Sequence, residues 1–158
     1  KPLTWFHESL GLGALIATGV HMVALTMDQY VEFGWIDVLV PGVAAWNPTA
    51  VALGVTAFYG LAVVTLSFYV KGVIGQKAWR TIHFLAFGTF LSALVHGVMA
   101  GTDTGHPLVS GMYIATGVLV AGLLALRVVQ QRSLARTPVR ERPAPAEPQP
   151  PVAVSASD

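Results

Sequence analysis

Four of the chain's five histidines lie inside two long apolar segments, where an ionisable side chain is costly unless it has a functional partner. His7 and His21 are fourteen residues apart in one segment, and His83 and His96 are thirteen residues apart in the other. At about 1.5 Å of rise per helical residue, each spacing separates two imidazoles by about 20 Å. A hydrocarbon core is about 30 Å thick, so each helix would carry one histidine near each membrane face. Two such helices side by side could supply the axial ligands of two haems stacked across a bilayer.

Zinc binding and structural hydrogen bonding are the alternatives for these histidines. Zinc ligands cluster around one ion, unlike two imidazoles about 20 Å apart on one helix. A single histidine inside a membrane can hydrogen-bond to a neighbouring helix, but four of them would each need a separate buried partner. We therefore interpret His7, His21, His83 and His96 as ligands of haem iron.

The composition is typical of a membrane protein. Of 158 residues, 54% are hydrophobic and 11% are charged, and the mean hydropathy is +0.63. Soluble domains carry about 25% charged residues, so this chain is depleted in charge. It has no cysteine, which excludes disulfides, iron–sulfur clusters, thiolate-ligated haem and c-type haem attachment. A net charge of +1 gives no reason to expect a nucleic-acid partner.

Four apolar segments, each near the ~20 residues that a membrane-spanning helix needs, predict an all-α integral membrane bundle. The first segment is too long for a signal-peptide core and has no small-residue cleavage site after it, so we expect it in the mature protein. The Pro- and Ala-rich C-terminal segment has no periodicity, which predicts a disordered tail. We predict a transmembrane domain over 1–131, a cytoplasmic tail over 132–158, and helices over about 3–27, 48–70, 79–100 and 108–129.

The charged residues are divided unevenly between the two sides that four crossings create. The first and third connections contain acidic residues and no Lys or Arg; the acidic residues are Asp28, Glu32, Asp37 and Asp103. All nine basic residues fall on the other side, among them Lys71, Lys77 and Arg80. The positive-inside rule then places both termini in the cytoplasm, and we expect a protein of the bacterial plasma membrane.

Small residues follow the first histidine helix between its two imidazoles. On an ideal helix, Gly11, Ala14 and Thr18 share one face with His7 and His21. A groove of small side chains would leave room for a macrocycle. Small residues also serve helix–helix packing in membranes, and the sequence does not separate these two roles.

The second histidine helix raises a question of direction. Thirteen residues at about 100° each leave His83 and His96 about 140° apart around an ideal helix axis. Either the two haems differ in azimuth or the helix distorts near Gly88. The sequence alone is compatible with both.

Two further polar residues lie near the proposed ligands. Arg80 precedes His83 by about one helical turn, where it is expected to bind haem propionates or to anchor the helix at the membrane interface. His106 lies in the loop sequence GTDTGHP, and we interpret it as an exposed loop residue; the alternative is a role near an outer substrate site.

Two stretches of the chain resemble a known family. One is the stretch with His7 and His21, which is followed by an acidic loop. The other is WRTIHFLAF…LVHGVMAGTD, from Trp79 to Asp103. Together they resemble the ferric reductase-like transmembrane domain over about residues 5–103. Members of that superfamily include ferric reductases, NADPH oxidases and the haem subunit of the periplasmic methionine sulfoxide reductase system.

The resemblance implies two stacked b haems, an inner one between His7 and His83 and an outer one between His21 and His96. Larger reductases of this family also carry a cytoplasmic flavin and nicotinamide domain, and no G-x-G-x-x-G fingerprint occurs in this chain. We therefore expect the haem-binding transmembrane component of an oxidoreductase, surrounded by membrane lipid. A separate cytoplasmic reductase or quinol would supply the electrons, and an outer acceptor that the sequence does not identify would receive them.

Two other interpretations fit the same residues. A quinone-linked cytochrome resembling the b561 type would use the same ligand geometry with a different electron donor. A haem-free four-helix membrane scaffold would keep the histidines as structural residues. An absorption spectrum distinguishes the scaffold from the cytochromes, and reduction by quinol or by a flavoprotein distinguishes the two cytochromes.

Overall fold

Every regular element in the described part of the chain is a helix, which confirms the predicted all-α class. The computed structural model describes the backbone of residues 2–136 and the side chains of residues 2–133. Four of its helices are long and apolar enough to cross a membrane, and a fifth is short. They are α1 (Pro2–Thr26), α2 (Trp35–Leu39), α3 (Pro48–Tyr69), α4 (Lys71–Ala100) and α5 (Pro107–Arg136).

Large apolar side chains point outward from the long helices. Phe84 is 71% exposed, Leu119 is 62% exposed and Ile16 is 60% exposed. Leaving apolar surface in water costs about 25 cal/mol per Å². A lipid environment removes that cost, so these surfaces fit helices that lie in hydrocarbon.

Local sequence explains where the helices begin. α3 starts with Pro48 and α5 with Pro107, at a position where the missing N–H costs no helical hydrogen bond. The short helix α2 was not expected from the sequence. The Asp37 carboxylate caps it by accepting a hydrogen bond of 2.8 Å from the backbone N–H of Gly34.

α4 breaks at Gly75, whose φ of 80° and ψ of 160° suit only glycine without strain. The residues before it, from Lys71 to Ile74, form a separate turn closed by backbone bonds to the carbonyl of Val70. The regular helix therefore starts at residue 76, three residues before the start predicted at residue 79.

α3 packs against both histidine-bearing helices, closely on α4 and less extensively on α1. The Ser92 hydroxyl of α4 donates a hydrogen bond of 2.9 Å to the carbonyl of Leu53 on α3. The Asn47 side-chain amide, just before α3, donates one of 3.1 Å to the carbonyl of Met99 near the end of α4. These bonds fix the register of α3 against α4 near His96.

The best-buried side chains lie at the end of α3 that begins with Pro48. Ala44, Val51 and Val55 form an apolar cluster, and Phe33 packs against it from the preceding loop. Ala50, on the same part of α3, is completely buried. Apolar side chains are therefore more completely buried at this end of the bundle than at the opposite end, where α3 passes into α4.

α5 is longer than predicted. It continues to Arg136, seven residues past the predicted end at residue 129, so residues 132–136 are helical and not part of a disordered tail. The remainder of the predicted tail, 137–158, lies outside the described residues. By compactness the chain forms one unit over Lys1–Leu119 and a second over Val120–Asp158, whose described part is the largely exposed end of α5.

Candidate functional site

The first histidine pair, His7 and His83, joins α1 to α4. The two ring centroids are 6.3 Å apart and the ring planes are inclined by 79°. Two imidazoles bound on opposite sides of one metal ion, at about 2 Å per metal–nitrogen bond, also have ring centres about 6 Å apart. The separation of this pair therefore suits two ligands that share one metal ion.

The backbones that carry this pair do not touch. Within the described helices, no Cα of α1 lies within 8 Å of a Cα of α4, although both helices belong to the same unit of the chain. His7 is exposed and His83 is half-buried. The two rings thus bridge a cleft between helices, instead of filling a closed helix–helix contact.

An aromatic and a cationic side chain extend the first pair toward the start of α4. The indole of Trp79 stacks on the imidazole of His83, with centroids 5.1 Å apart and planes inclined by 23°. The Nζ atom of Lys71 lies over the Trp79 ring, 4.2 Å from its centroid. The Trp79 Nε1 atom is buried without a hydrogen-bond partner, which leaves an unused N–H donor beside the first pair.

The second pair, His21 and His96, lies about four helical turns further along α1 and α4. Its two rings are close enough to interact electrostatically. His96 Nδ1 lies 2.7 Å from the carbonyl oxygen of Ala50 on α3. A carbonyl can only accept, so Nδ1 carries the proton and Nε2 keeps its lone pair. Metal-ligating histidines commonly make this type of hydrogen bond, since it fixes the tautomer and the ring orientation.

Gly54 makes room for the ring of His96. A Cβ atom at residue 54 would lie 2.7 Å from two atoms of that imidazole, closer than any real contact. Gly54 is one turn after Ala50 on α3, so the same helix face both accepts the Nδ1 proton and receives the ring. The orientation of His96 is therefore set by α3.

The contact of His96 with α3 distinguishes the two alternatives for the directions in which His83 and His96 leave the helix axis. Between His83 and His96 the backbone of α4 is regular, and its break lies earlier, at Gly75. The alternative of a distortion near Gly88 is therefore wrong. The two imidazoles leave the helix in different directions, one toward Trp79 and α1, the other toward α3 and α1.

The small residues of α1 take part in ordinary helix contacts. Gly11 faces α3, where an added Cβ would lie 3.7 Å from the hydroxyl oxygen of Thr65. The Thr18 hydroxyl donates to the carbonyl of Ala14 in its own helix. The helix-packing alternative for this face therefore holds at Gly11, while the room near the histidines comes from the separation of α1 and α4.

Arg80 and His106 differ in their surroundings. Arg80 is exposed and lies beside Trp79, three residues before His83. His106 is exposed in the loop before α5, and its Nδ1 accepts a hydrogen bond of 3.3 Å from the backbone N–H of Leu108. His106 thus caps the start of α5, in keeping with a loop role.

Four residues of the site were not identified from the sequence: Lys71, Trp79, Ala50 and Gly54. Trp79 could have been found, because residues four apart lie on the same helix face. Ala50 and Gly54 are more than forty residues from His96, and only the packing of α3 on α4 brings them to its ring.

The donor set fits a metal that brings most of its own ligands. In residues 2–133, no three His, Cys, Asp or Glu side chains gather into a metal-binding group. A porphyrin supplies four nitrogens in one plane and leaves two axial positions on its iron. His7 with His83, and His21 with His96, each offer two imidazoles. The unpartnered Trp79 N–H adds a donor for a polar edge of such a group.

Comparisons with protein families, with curated proteins and with solved structures find no match to this chain. The resemblance to the ferric reductase-like domain therefore stays a prediction from the sequence.

Proposed function

We propose that this chain is a membrane b-type cytochrome that carries electrons across the bilayer through two bis-histidine haems. The observation that carries the proposal is the approach of His7 on α1 to His83 on α4, whose ring centroids are 6.3 Å apart. The lone pair on His96 Nε2, left by the bond from Nδ1 to Ala50, supports the same role for the second pair.

Each histidine has a defined task in this proposal. His7 and His83 hold one haem and His21 and His96 hold the other, about 20 Å away along the helices. Bound haem iron supplies one-electron chemistry, alternating between the ferric and ferrous states. The protein binds, orients and separates the two groups, so that a crossing of the insulating core is divided into shorter steps.

The proposed topology places the first pair toward the cytoplasm. Four crossings put both termini on one side, and the one-sided distribution of basic residues makes that side cytoplasmic, in a bacterial plasma membrane. Electrons then enter at the His7–His83 haem and leave at the His21–His96 haem. An Asp37→Cys variant should react with an impermeant thiol reagent added outside intact cells. Labelling only from the cytoplasmic side would contradict the topology.

The chain needs partners at both ends of this path. We propose a ferric reductase-like role in which a separate cytoplasmic reductase donates the electrons and docks on the basic connection, where Lys71 and Lys77 lie. The connections on the other side carry Asp28, Asp37 and Asp103, whose charge suits a cationic acceptor such as a metal ion.

The haem content of the purified protein tests the proposal directly. The full chain, produced with an ample haem supply, should carry two low-spin b haems and show sharp reduced-minus-oxidised bands. Circular dichroism of the same sample shows that the helices are folded. A helical protein that takes up no haem on reconstitution would disprove the cytochrome proposal and favour the scaffold alternative.

A quinone-linked cytochrome is the second candidate, and a groove between α4 and α5 favours it. The groove is almost entirely apolar, and it is lined by Leu94, Val98, Tyr113, Ile114, Gly117 and Val118. Tyr113 packs on Gly97, the residue after His96, and places a phenol close to the second pair. Anaerobic reduction of the haems by a lipid-soluble quinol would select this candidate, and reduction by a flavoprotein alone would select the first.

A further inference from the structure

We propose that Lys71 and Trp79 form a cationic stack on His83 that raises the reduction potential of the haem held by His7 and His83. This inference rests on the proposed function, because it concerns the first-pair haem. It assigns to Lys71 and Trp79 a positioning and tuning role for which the second pair has no counterpart.

The stack is a continuous set of contacts. Lys71 Nζ lies 4.2 Å from the centroid of the Trp79 ring, and that ring lies 5.1 Å from the imidazole of His83 in a nearly parallel arrangement. The imidazole of His83 in turn lies 6.3 Å from that of His7. A fixed positive charge is thus connected through one indole to an axial ligand.

The break at Gly75 creates this arrangement. Lys71 and Trp79 are eight residues apart, which in an unbroken helix is about 12 Å of rise and more than two turns. The positive φ of Gly75 separates the turn at Lys71–Ile74 from the regular helix and brings Lys71 over Trp79. The contact between Lys71 and Trp79 therefore depends on the backbone conformation of Gly75.

The direction of the effect follows from charge. Reduction adds one electron to ferric iron, so the ferrous form carries one positive charge fewer. The ammonium of Lys71 keeps its charge in both forms and disfavours the ferric one. The indole holds that ammonium by a cation–π interaction and also fixes the plane of the His83 ring. The second pair has an opposite influence: the carbonyl of Ala50 makes the His96 ligand more basic, which favours the ferric form.

The experiment is an anaerobic redox titration of the full chain, with Lys71→Met as the test and Lys77→Met as the matched control. Both variants remove one lysine charge from the same connection, but only Lys71 contacts Trp79. The two titration steps are assigned to the two haems with His83→Ala and His96→Ala. Lys71→Met should lower the reduction equilibrium constant of the first-pair haem by about tenfold, which is about 59 mV for a one-electron couple, and leave the other step unchanged. Equal shifts in both lysine variants, or none, would overturn the inference.

Removal of the indole gives a second, independent readout. In a Trp79→Leu background, Lys71→Met should change the potential of the first-pair haem less than it does in the wild type, because the ammonium has lost the nearer of its two ring contacts and keeps the Phe68 ring, whose centroid is 5.9 Å from Nζ. If Trp79→Leu binds only one haem, Trp79→Phe replaces it, and the effect of Lys71→Met should shrink since a benzene ring holds a cation less strongly. An undiminished effect would show that Trp79 is not involved.

The failures of the two proposals are distinguishable. Wild-type protein without haem refutes the proposed function and this inference with it, whereas two haems without a Lys71-specific shift refute the inference alone.

Discussion

His83 and His96 lie on the same helix, yet different parts of the molecule hold their rings. His83 stacks on Trp79, one turn earlier in α4, and no contact with α3 is needed to orient it. His96 donates a hydrogen bond to the carbonyl of Ala50 and lies in the space left by Gly54, both on α3. One imidazole is oriented within its own helix and the other by a neighbouring helix.

This difference predicts which substitutions should affect the orientation of each imidazole. The second pair depends on the register of α3 against α4, which Ser92 and Asn47 fix nearby. The first pair depends on one stretch of α4 and on the turn at Gly75. Changes in the α3–α4 interface should therefore affect the second haem and leave the first intact, and the following variants test this.

The largest expected effect comes from the ligands themselves. His96→Ala should abolish binding of one haem and His83→Ala binding of the other, because in the proposed cytochrome each removes one of the two imidazoles that would hold that haem. Pyridine haemochrome analysis of the purified variants should give one haem per chain in place of two. His106→Ala is the control and should retain both haems. Unchanged haem content in both ligand variants would contradict the pairing.

A smaller but more selective effect is expected at Gly54. In Gly54→Ala the added methyl group collides with the His96 ring, so the second haem should bind at least about tenfold more weakly, a typical penalty for disturbing the support of a metal ligand. Gly88→Ala is the matched control, since a Cβ there meets open space. Haem titration monitored by absorbance gives the affinities. If the first haem were the one weakened, the comparison between the two ligands would be wrong.

The smallest expected effect on haem binding is at Asn47, which has a φ of 39° and donates to the carbonyl of Met99; the change expected there is in the stability of the fold. Asn47→Gly keeps the backbone conformation and loses the hydrogen bond, at about 1 kcal/mol in the free energy of unfolding. Asn47→Ala also strains the left-handed backbone and should cost about 2–3 kcal/mol in total. Denaturant unfolding in mixed micelles measures both variants. If both variants lost the same free energy of unfolding, the left-handed backbone at residue 47 would contribute nothing to the difference between them.

The starts of α3 and α5 were predictable because they depend on local chemistry. Pro48 and Pro107 mark helix starts through the missing N–H, and the predicted starts at residues 48 and 108 lie within one residue of those observed. The end of α5 was misplaced because hydropathy reports where a helix leaves hydrocarbon, and not where its hydrogen bonds stop. Residues 130–136, QQRSLAR, are largely polar, and the helix continues through them.

The candidate site was predictable only in part. The spacing of the four histidines suggested two pairs, and the structure brings His7 to His83 and His21 to His96. Helix geometry left open whether His83 and His96 differ in azimuth or the helix distorts near Gly88, and the regular backbone between them selects the first. The role of Ala50 and Gly54 could not be predicted, because it depends on how α3 is rotated against α4, and no local pattern in the sequence encodes that rotation. The approach of Lys71 to Trp79 was equally hidden, since it requires the backbone break at Gly75.

The short connection between α3 and α4 has a consequence for biosynthesis. Only residues 70–75 separate α3 from the regular helix of α4, whereas residues 27–47 separate α1 from α3. Contacts between neighbours in the chain form quickly, because little loop entropy is lost in closing them. We expect α3 and α4 to enter the bilayer together as a hairpin that already carries His83 and His96. α1, which has no backbone contact with α4, then brings the other two histidines. Cofactor loading during synthesis would then join α1 to α4, in addition to the contact that α1 makes with α3.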